Sequence, residues 1–174
     1  MAGKKPQDSV AEHREKSVGS VGVAVITLSM SRSLDTDKSG DVIQNLLEAK
    51  GHPVLVRKLI PDSRNVLRAT LRELMRERKV QAIITTGGTG LAPLDITIET
   101  VQGMLDKILP GFNSLFMALS YPQVKSAAML SRALAGTIRD KMIFCLPGSP
   151  RACKLAMESL ILPELGHILM LLRS

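Results

Sequence analysis

The segment Val80-Gln-Ala-Ile-Ile-Thr-Thr-Gly-Gly-Thr-Gly90 decides the fold class. Residues 80–86 form a short apolar run rich in β-branched side chains, which is typical of a strand buried on both faces. Gly87, Gly88 and Gly90 follow at once, and glycine lets the backbone turn sharply and approach a ligand closely. The segment therefore predicts a buried strand that ends in a ligand-binding loop.

Runs of the same kind lie on both sides of this segment. We predict further strands over residues 22–28, 54–60 and 141–146, the second at or near a sheet edge because Arg57 and Lys58 interrupt it. Between these runs, apolar residues recur at helical spacing and predict six helices. Four span residues 39–50, 97–108 with Thr97 as cap, 112–119 and 127–134, one begins after Ser63, and one begins with Ser149 and Pro150.

Alternating strands and helices predict crossover units with a parallel sheet at their centre. We expect a single-domain, three-layer α/β/α fold with a mostly parallel sheet. Residues 21–174 would form this domain, and the polar, aperiodic residues 1–20 would form a flexible N-terminal arm.

The composition excludes several classes of protein. With 45% hydrophobic and 22% charged residues, the 174-residue chain is an ordinary globular one. Its 2% aromatic residues argue against nucleic-acid binding by base stacking. Cys145 and Cys153 form neither a disulfide framework nor a zinc motif. Residues 1–5 lack an apolar leader and no long uncharged apolar segment is present, so we expect a cytoplasmic protein without a membrane span.

The net charge of +7 is concentrated in one segment. Arg64, Arg68, Arg72 and Arg76 recur every four residues and would form a stripe on one face of a helix. A solvated helix face is the plainer interpretation. The other interpretation is a surface that contacts phosphates or the acidic side chains of a neighbouring subunit, and both interpretations stay open.

Four loops follow the predicted strand ends, where open α/β sheets bind their ligands. In the loop Thr86, Gly87, Gly88, Thr89 and Gly90, the backbone N–H groups can cradle phosphate. The loop is neither a Walker loop nor a Gly-x-Gly-x-x-Gly motif, because Pro93 stands where the third glycine would be. A tight turn without a ligand is the alternative.

Two aspartates, Asp62 and Asp95, lie in different strand-end loops. If they lie close together they suit Mg²⁺, which takes one or two carboxylates beside substrate phosphates. Asp37-Lys38-Ser39-Gly40 and Pro147-Gly148-Ser149 begin helices and are natural anion sites, or only caps. Without a Ser-His-Asp or Cys-His pattern, transfer chemistry driven by positioning and electrostatics is favoured.

Six motifs in order resemble the MoaB/MogA family of molybdenum-cofactor biosynthesis, over about residues 21–165. They are Asp37-x-Ser39-Gly40, Ile60-Pro61-Asp62, Thr85-Thr86-Gly87-Gly88-Thr89-Gly90 with Asp95 and Thr97, Pro110-Gly111-Phe112, Leu130-Ser131-Arg132-Ala133-x-Ala135-Gly136, and Leu146-Pro147-Gly148-Ser149-Pro150-x-Ala152.

The resemblance implies a molybdopterin adenylyltransferase that uses Mg²⁺ and ATP, with molybdopterin as substrate and pyrophosphate as leaving group. It makes Asp62 and Asp95 the catalytic acids and magnesium ligands, and the glycine loop the nucleotide and phosphate site. It also implies a homotrimer or homohexamer, and as partner a metal-insertion enzyme of the same pathway. The implied molybdopterin and anion contacts are Ser31, Asp37, Ser39, Gly40, Ser131, Arg132, Pro147, Gly148 and Ser149.

Two departures from the family pattern keep alternatives open. Met30 replaces an aspartate that many members have, and Leu94 replaces a basic residue that often precedes the second acid. The first alternative is a non-catalytic molybdopterin- or nucleotide-binding scaffold in cofactor assembly. The others are a nucleic-acid module using the arginine stripe, and the competence-related branch that shares this domain but carries an additional one.

Overall fold

The computed structural model describes residues 18–173 and contains one six-stranded sheet. Its strands are β1 (Val23–Leu28), β2 (Val54–Ile60), β3 (Ala82–Thr86), β4 (Lys107–Ile108), β5 (Leu134–Ile138) and β6 (Lys141–Leu146). The spatial order is β2-β1-β3-β6-β5-β4. Four neighbouring strands, β2, β1, β3 and β6, run parallel, and β5 is antiparallel to both β6 and β4. The prediction of a mostly parallel sheet is confirmed.

Helices cover both faces of the sheet. They are α1 (Lys38–Ala49), α2 (Arg64–Leu74), α3 (Thr97–Gln102), α4 (Pro110–Val124), α5 (Pro150–Ala156) and α6 (Leu162–Arg173), with 3-10 turns at Leu34–Thr36 and Lys125–Leu130 and a π turn at Met157–Ile161. Leu71 of α2 and Val101 of α3 pack on one face of the sheet. Leu47, Phe116 and Leu169, from α1, α4 and α6, pack on the other. The three-layer architecture is as predicted.

Three predicted helices are wrong in their extent, and one of them is longer than predicted: α4 spans Pro110–Val124 where 112–119 is predicted. The other two are shorter. The pattern Ile98, Val101, Leu105 and Ile108 predicts a helix over 97–108, but α3 ends at Gln102 and β4 forms at Lys107–Ile108. Of the helix predicted over 127–134, only the first four residues are helical, in the 3-10 turn Lys125–Leu130, and β5 begins at Leu134. Lys107–Ile108 pairs with β5 at the antiparallel edge of the sheet, and this tertiary contact overrides the local helical pattern there.

Helix caps also differ from the predictions. Ile96, not Thr97, is the cap of α3, and the Thr97 hydroxyl donates to Gly87 O at 2.8 Å instead. Helix α1 begins one residue before the predicted Ser39, because the side chain of Asp37 accepts from the Gly40 N–H. The predicted cap of α5 is confirmed: Ser149 Oγ accepts from Ala152 N at 3.1 Å.

The predicted N-terminal arm over 1–20 falls mostly on residues 1–17, which lie outside the described residues. Val18 N donates to Gly166 O at 3.2 Å, so the described chain starts against α6.

The continuous helical stretch Pro150–Arg173 is long and apolar enough to cross a membrane by length and composition alone. The sequence interpretation found no such segment because Pro163, Glu164 and His167 interrupt the apolar run. Its residues Cys153, Ile161, Leu165 and Leu169 are buried in the core against the sheet.

Candidate active site

A cleft of about 740 Å³ opens at the carboxyl edge of the parallel strands. Here the loops that follow β1, β2, β3 and β6 meet, which is where open α/β sheets bind their ligands. The walls are formed by Leu28, Ser29, Met30, Ser31, Arg32, Asp62, Gly87, Gly88, Thr89, Gly90, Leu94, Asp95, Leu130, Ser131, Pro147, Gly148, Ser149 and Pro150.

The glycine loop after β3 takes a conformation that side chains would prevent. Gly87 and Gly88 have φ angles of +97° and +61°. A Cβ on Gly87 would come within 2.3 Å of Leu28 O, and one on Gly88 within 2.9 Å of Asp62 Oδ1. Such approaches force either the backbone or the carboxylate to move. The loop therefore needs glycine both for its turn and for room beside Asp62.

The backbone of this loop presents donors to the cleft. Within residues 18–173, the N–H groups of Gly88, Thr89 and Gly90 donate to no protein acceptor. Donors without a protein acceptor at a cleft wall are available to a ligand. Successive N–H groups of a glycine turn form a concavity that suits an anion such as phosphate.

Arg132 supports the glycine loop through its carbonyls. Its Nε donates to Thr89 O at 2.8 Å and its Nη2 to Gly90 O at 2.6 Å. Glu99 of α3 accepts from Arg132 Nη1 at 2.5 Å, and this hydrogen bond lowers the pKa of Glu99. Arg132 thus links the carbonyl oxygens of the glycine loop to Glu99 on α3.

Asp62 lies beside the loop with an unsatisfied carboxylate. Its Oδ1 is buried and has no hydrogen-bond partner among the described residues. Burial raises the pKa of Asp62, and the nearby charge of Asp95 raises it further, against a hydrogen bond from the backbone of Met30 that lowers it. A buried carboxylate oxygen without a partner costs free energy unless a ligand compensates it.

Asp95 completes a pair of carboxylates. Its Oδ2 accepts from Ala92 N at 2.9 Å, which holds the loop in a tight turn. A Cβ on Gly90 would come within 2.6 Å of the same oxygen. Glycine at position 90 therefore gives Asp95 its place against the loop.

The donor set fits a magnesium ion. Mg²⁺ is bound by one or two carboxylates and completes its octahedron with water and substrate phosphates. Asp62 and Asp95 interact electrostatically and flank a loop with free N–H donors. Within residues 18–173, no group of three or more His, Cys, Asp or Glu side chains forms a metal cage. Two carboxylates beside free N–H donors could hold a cation together with a phosphate.

The loop after β6 forms the opposite wall. Gly148 O accepts from Ser39 Oγ at 2.8 Å and from Arg32 Nη2 at 3.2 Å, and Pro147 O accepts from Thr86 Oγ1 at 2.9 Å. Side chains from three other parts of the chain thus donate hydrogen bonds to these two carbonyl oxygens. This fixes the Pro147–Ser149 turn in position relative to the glycine loop.

Residues 24–167 match a family described as "Probable molybdopterin binding domain". The chain belongs to this molybdopterin-binding family. The molybdenum cofactor biosynthesis protein B of Bacillus cereus is 42% identical over 161 residues, covering 92% of this chain and 95% of that protein. The protein of the same name from Halalkalibacterium halodurans is 43% identical, with the same coverage.

Solved structures of family members share the fold. One, a molybdenum cofactor biosynthesis protein B, has a TM-score of 0.86 at 41% identity, covering 88% of this chain and 96% of the other. The tungsten cofactor synthesizing protein MoaB from Pyrococcus furiosus has a TM-score of 0.80 at 36% identity, covering 89% of this chain and 98% of its own. The resemblance drawn from the six motifs is thereby confirmed.

In this family member, the structure brings most of the predicted site residues to the cleft wall. The predicted residues found there are Ser31, Asp62, Gly87, Gly88, Thr89, Gly90, Asp95, Ser131, Pro147, Gly148 and Ser149. The others, Thr86, Asp37, Ser39, Gly40 and Arg132, lie behind the wall. Of these, Thr86, Ser39 and Arg132 support it by donating to its carbonyls.

Asp37 belongs to a buried polar network behind the wall. Its Oδ2 accepts from Thr27 at 2.5 Å and from Arg57 at 2.8 Å, and its Oδ1 accepts from Gly40 N at 3.1 Å. Burial raises the pKa of Asp37, but the bonds from Thr27, Gly40 and Arg57 outweigh burial and leave the pKa below its ordinary value. The network anchors α1 to β1 and β2.

Sequence analysis missed Arg32 and Ser29 as wall residues. Arg32 is the only Lys or Arg side chain in the cleft wall formed by the described residues, and Ser29 Oγ accepts from the backbone of Ser31 and Arg32. Their position directly after β1 was the available signal, since side chains after parallel strand ends face the same edge.

Proposed function

We propose that this protein adenylylates molybdopterin with Mg-ATP and releases pyrophosphate. The observation that carries the proposal is the unsatisfied Oδ1 of Asp62 beside a loop with free N–H donors. A carboxylate that needs a cation next to donors that need an anion suits a metal-bound phosphate. Membership of a molybdopterin-binding family supplies the acceptor substrate.

In the proposed reaction, a terminal phosphate oxygen of molybdopterin forms a bond to the α-phosphorus of ATP. The bond from that phosphorus to the bridging oxygen of the β-phosphate breaks, and pyrophosphate leaves with the electron pair. No side chain needs to act as a nucleophile, so catalysis consists of positioning and charge stabilisation. A bound Mg²⁺ supplies positive charge that offsets the charge developing on the phosphate oxygens.

The residues divide this work between them. Gly88, Thr89 and Gly90 would donate their N–H groups to phosphate oxygens and fix the phosphate in line for attack. Asp62 and Asp95 would hold the cation in their ionised forms. The free N–H groups of Gly148 and Ser149, which among the described residues donate to no protein acceptor, would bind the second anion on the opposite wall.

The first test is pyrophosphate release from Mg-ATP with and without molybdopterin. We expect release that requires both molybdopterin and Mg²⁺. Asp62→Asn and Asp95→Asn should each lower kcat by about 100-fold or more, as expected for the loss of a group that acts at the reacting phosphate. Undiminished release from either variant would overturn its assigned role.

Two controls separate catalysis from folding. Asp140→Asn removes an exposed carboxylate at the opposite edge of the sheet and should leave kcat within twofold of the wild type. Asp62→Asn should not lower the unfolding temperature measured without Mg²⁺. Burial and Asp95 disfavour the charged form of Asp62, so a neutral side chain relieves a cost in the folded state.

A second candidate function is a non-catalytic molybdopterin- or nucleotide-binding scaffold. The observation that favours it is the exposure of two apolar wall residues, Met30 at 71% and Leu94 at 67%, which offer an anionic ligand neither a charge nor a side-chain hydrogen bond. Calorimetric binding of ATP or molybdopterin without turnover would establish it. If Met30→Asp with Leu94→Arg then gained pyrophosphate release, the two apolar residues would account for the missing activity.

The remaining expectations concern the assembly and its surroundings. We propose a cytoplasmic homotrimer or homohexamer that passes its product to a metal-insertion enzyme of the same pathway. Exposed apolar side chains on and next to α4, such as Leu115, Leu119 and Leu130, suit a subunit contact. Sedimentation equilibrium of the full chain would distinguish monomer, trimer and hexamer.

A further inference from the structure

One strongly charged surface lies outside the cleft and is not used by the proposed reaction. It is the arginine ridge, defined here as Arg64, Arg68 and Arg72 on α2 with Arg76 just beyond its end. All four side chains are exposed, while Leu67, Leu71 and Leu74 turn the other face of α2 into the core. Within the described part of the chain, no acidic side chain forms an ion pair with any of the four.

The ridge begins at the mouth of the cleft. Asp62 lines the cleft, and α2 starts two residues later at Arg64 and runs back along the sheet. The hydrogen bond from Arg132 chiefly lowers the pKa of Glu99, and the charge of Arg64 contributes to the same shift. Arg64 therefore lies near the Glu99–Arg132 pair that supports the glycine loop. At a rise of about 1.5 Å per residue, Arg68 and Arg72 lie about 6 and 12 Å further along the axis, and Arg76 lies beyond the end of the helix.

The cleft does not itself attract anions over a distance. Before a cation binds, its wall in the described structure carries Asp62 and Asp95 against the single cation Arg32, so its formal charge is negative. Free N–H groups bind phosphate at contact but act weakly at long range. A polyphosphate approaching this mouth is repelled by the two carboxylates unless neighbouring positive charge compensates them.

We infer that the cleft-proximal half of the arginine ridge, Arg64 and Arg68, steers anionic phosphate ligands into the cleft. The inference rests on the proposed function, because that function names phosphates as the ligands. Steering raises the association rate and leaves the dissociation rate unchanged, since the steering charges do not touch the bound ligand. It also weakens with distance over the Debye length, about 10 Å at 0.1 M salt.

The ridge supplies its own matched control. Arg64→Gln with Arg68→Gln removes two charges near the mouth, and Arg72→Gln with Arg76→Gln removes two charges beyond the Debye length. Glutamine has nearly the helix propensity of arginine, so both double variants should fold. The readout is stopped-flow binding of a fluorescent ATP derivative in excess Mg²⁺.

At 0.1 M salt we expect the near pair to lower the association rate constant about threefold and the far pair to change it less than about 1.5-fold. Dissociation rates should stay within twofold of the wild type. At 0.5 M salt the difference between the near pair and the wild type should vanish. Equal losses from both pairs would overturn the inference and indicate a longer anionic partner lying along the ridge, and an effect confined to dissociation would overturn it in favour of direct contact.

Failure of the inference and failure of the proposed function give different results. Steered binding of the derivative without pyrophosphate release in the presence of molybdopterin supports the inference and rejects the adenylyltransferase. Pyrophosphate release by the wild type, with equal association rates for the near and far pairs, supports the adenylyltransferase and rejects the steering inference. A wild type that does not bind the derivative overturns both.

Discussion

Single residues in this protein divide into those that face the ligand and those that hold them in place. Asp62, Gly88 and Asp95 form the wall, while Arg132 and Ser39 bind its carbonyls from behind. The sequence motifs contain residues of both groups, because the shape of the cleft depends on both. Only the structure separates contact from support.

Arg132 is the clearest case of support. Its guanidinium donates to Thr89 O and Gly90 O and forms an ion pair with Glu99, a planar arrangement that lysine cannot reproduce. We expect Arg132→Lys to loosen the glycine loop and lower kcat/KM for ATP by about 10-fold, with a smaller loss in unfolding temperature. Steady-state kinetics and thermal unfolding of the same preparation would check this.

Glu99→Gln provides the comparison for Arg132. It keeps an acceptor for Arg132 but removes the ion pair, which is partly exposed and therefore contributes little. We expect an effect smaller than that of Arg132→Lys. An Arg132→Lys enzyme with unchanged kcat/KM would show that the carbonyl contacts do not position the loop.

At the scale of elements, the parallel half of the fold was predictable and the antiparallel half was not. The continuous apolar run after Lys141 predicts β6, and the strand predicted over 54–60 matches β2 although Arg57 and Lys58 interrupt its apolar run. Strand β5 contains Gly136, where a Cβ would meet Lys107 O at 2.3 Å. Glycine at position 136 therefore allows β4 and β5 to pair, and no local pattern in residues 127–138 indicates this pairing.

The hairpin between β5 and β6 carries a local strain that can be relieved. Arg139 has φ of +55°, and Ile138 pairs with Lys141 across this two-residue turn. A left-handed conformation costs a non-glycine residue about 1 kcal/mol or more, part of which glycine recovers after its larger loss of chain entropy. We expect Arg139→Gly to stabilise the protein by about 0.5 kcal/mol in urea unfolding, with activity unchanged.

The hydrogen bond from Arg139 N to Asp106 Oδ2 does not depend on the side chain and should survive this change. Arg139→Ala is the control, since alanine keeps the unfavourable φ. A glycine variant no more stable than the alanine variant would contradict the strain argument.

At the scale of the whole molecule, burial distributes titratable groups so that stability depends on pH. His52 is buried, its Nδ1 accepts from Val21 N at 3.2 Å, and burial lowers its pKa. Asp37 also has a lowered pKa in the folded state. A neutral His52 and an ionised Asp37 are thus the folded forms, and acid disfavours both. Asp62, whose pKa is raised, acts in the opposite direction.

The sign for His52 follows from linkage. Its folded pKa lies below the unfolded value of about 6.5, so the unfolded chain binds a proton first as the pH falls. The contribution of His52 to stability is fully present above the unfolded pKa. It decreases as the pH falls from the unfolded pKa to the folded pKa, and below the folded pKa it changes no further. The window is separate from that of Asp37, whose loss begins only below the unfolded pKa of a carboxyl, near about 4. The loss of stability that His52 causes on acidification therefore begins at a higher pH than the loss that Asp37 causes.

We expect His52→Asn to flatten the fall in unfolding temperature between pH 7.5 and 5. The asparagine Oδ1 can accept from Val21 N as His52 Nδ1 does, and it does not titrate. The variant should lose stability at pH 7.5 through poorer packing and regain most of the difference at pH 5, so the two curves converge. If the His52→Asn and wild-type curves ran parallel, acid lability would have to come from a carboxylate network such as that of Asp37.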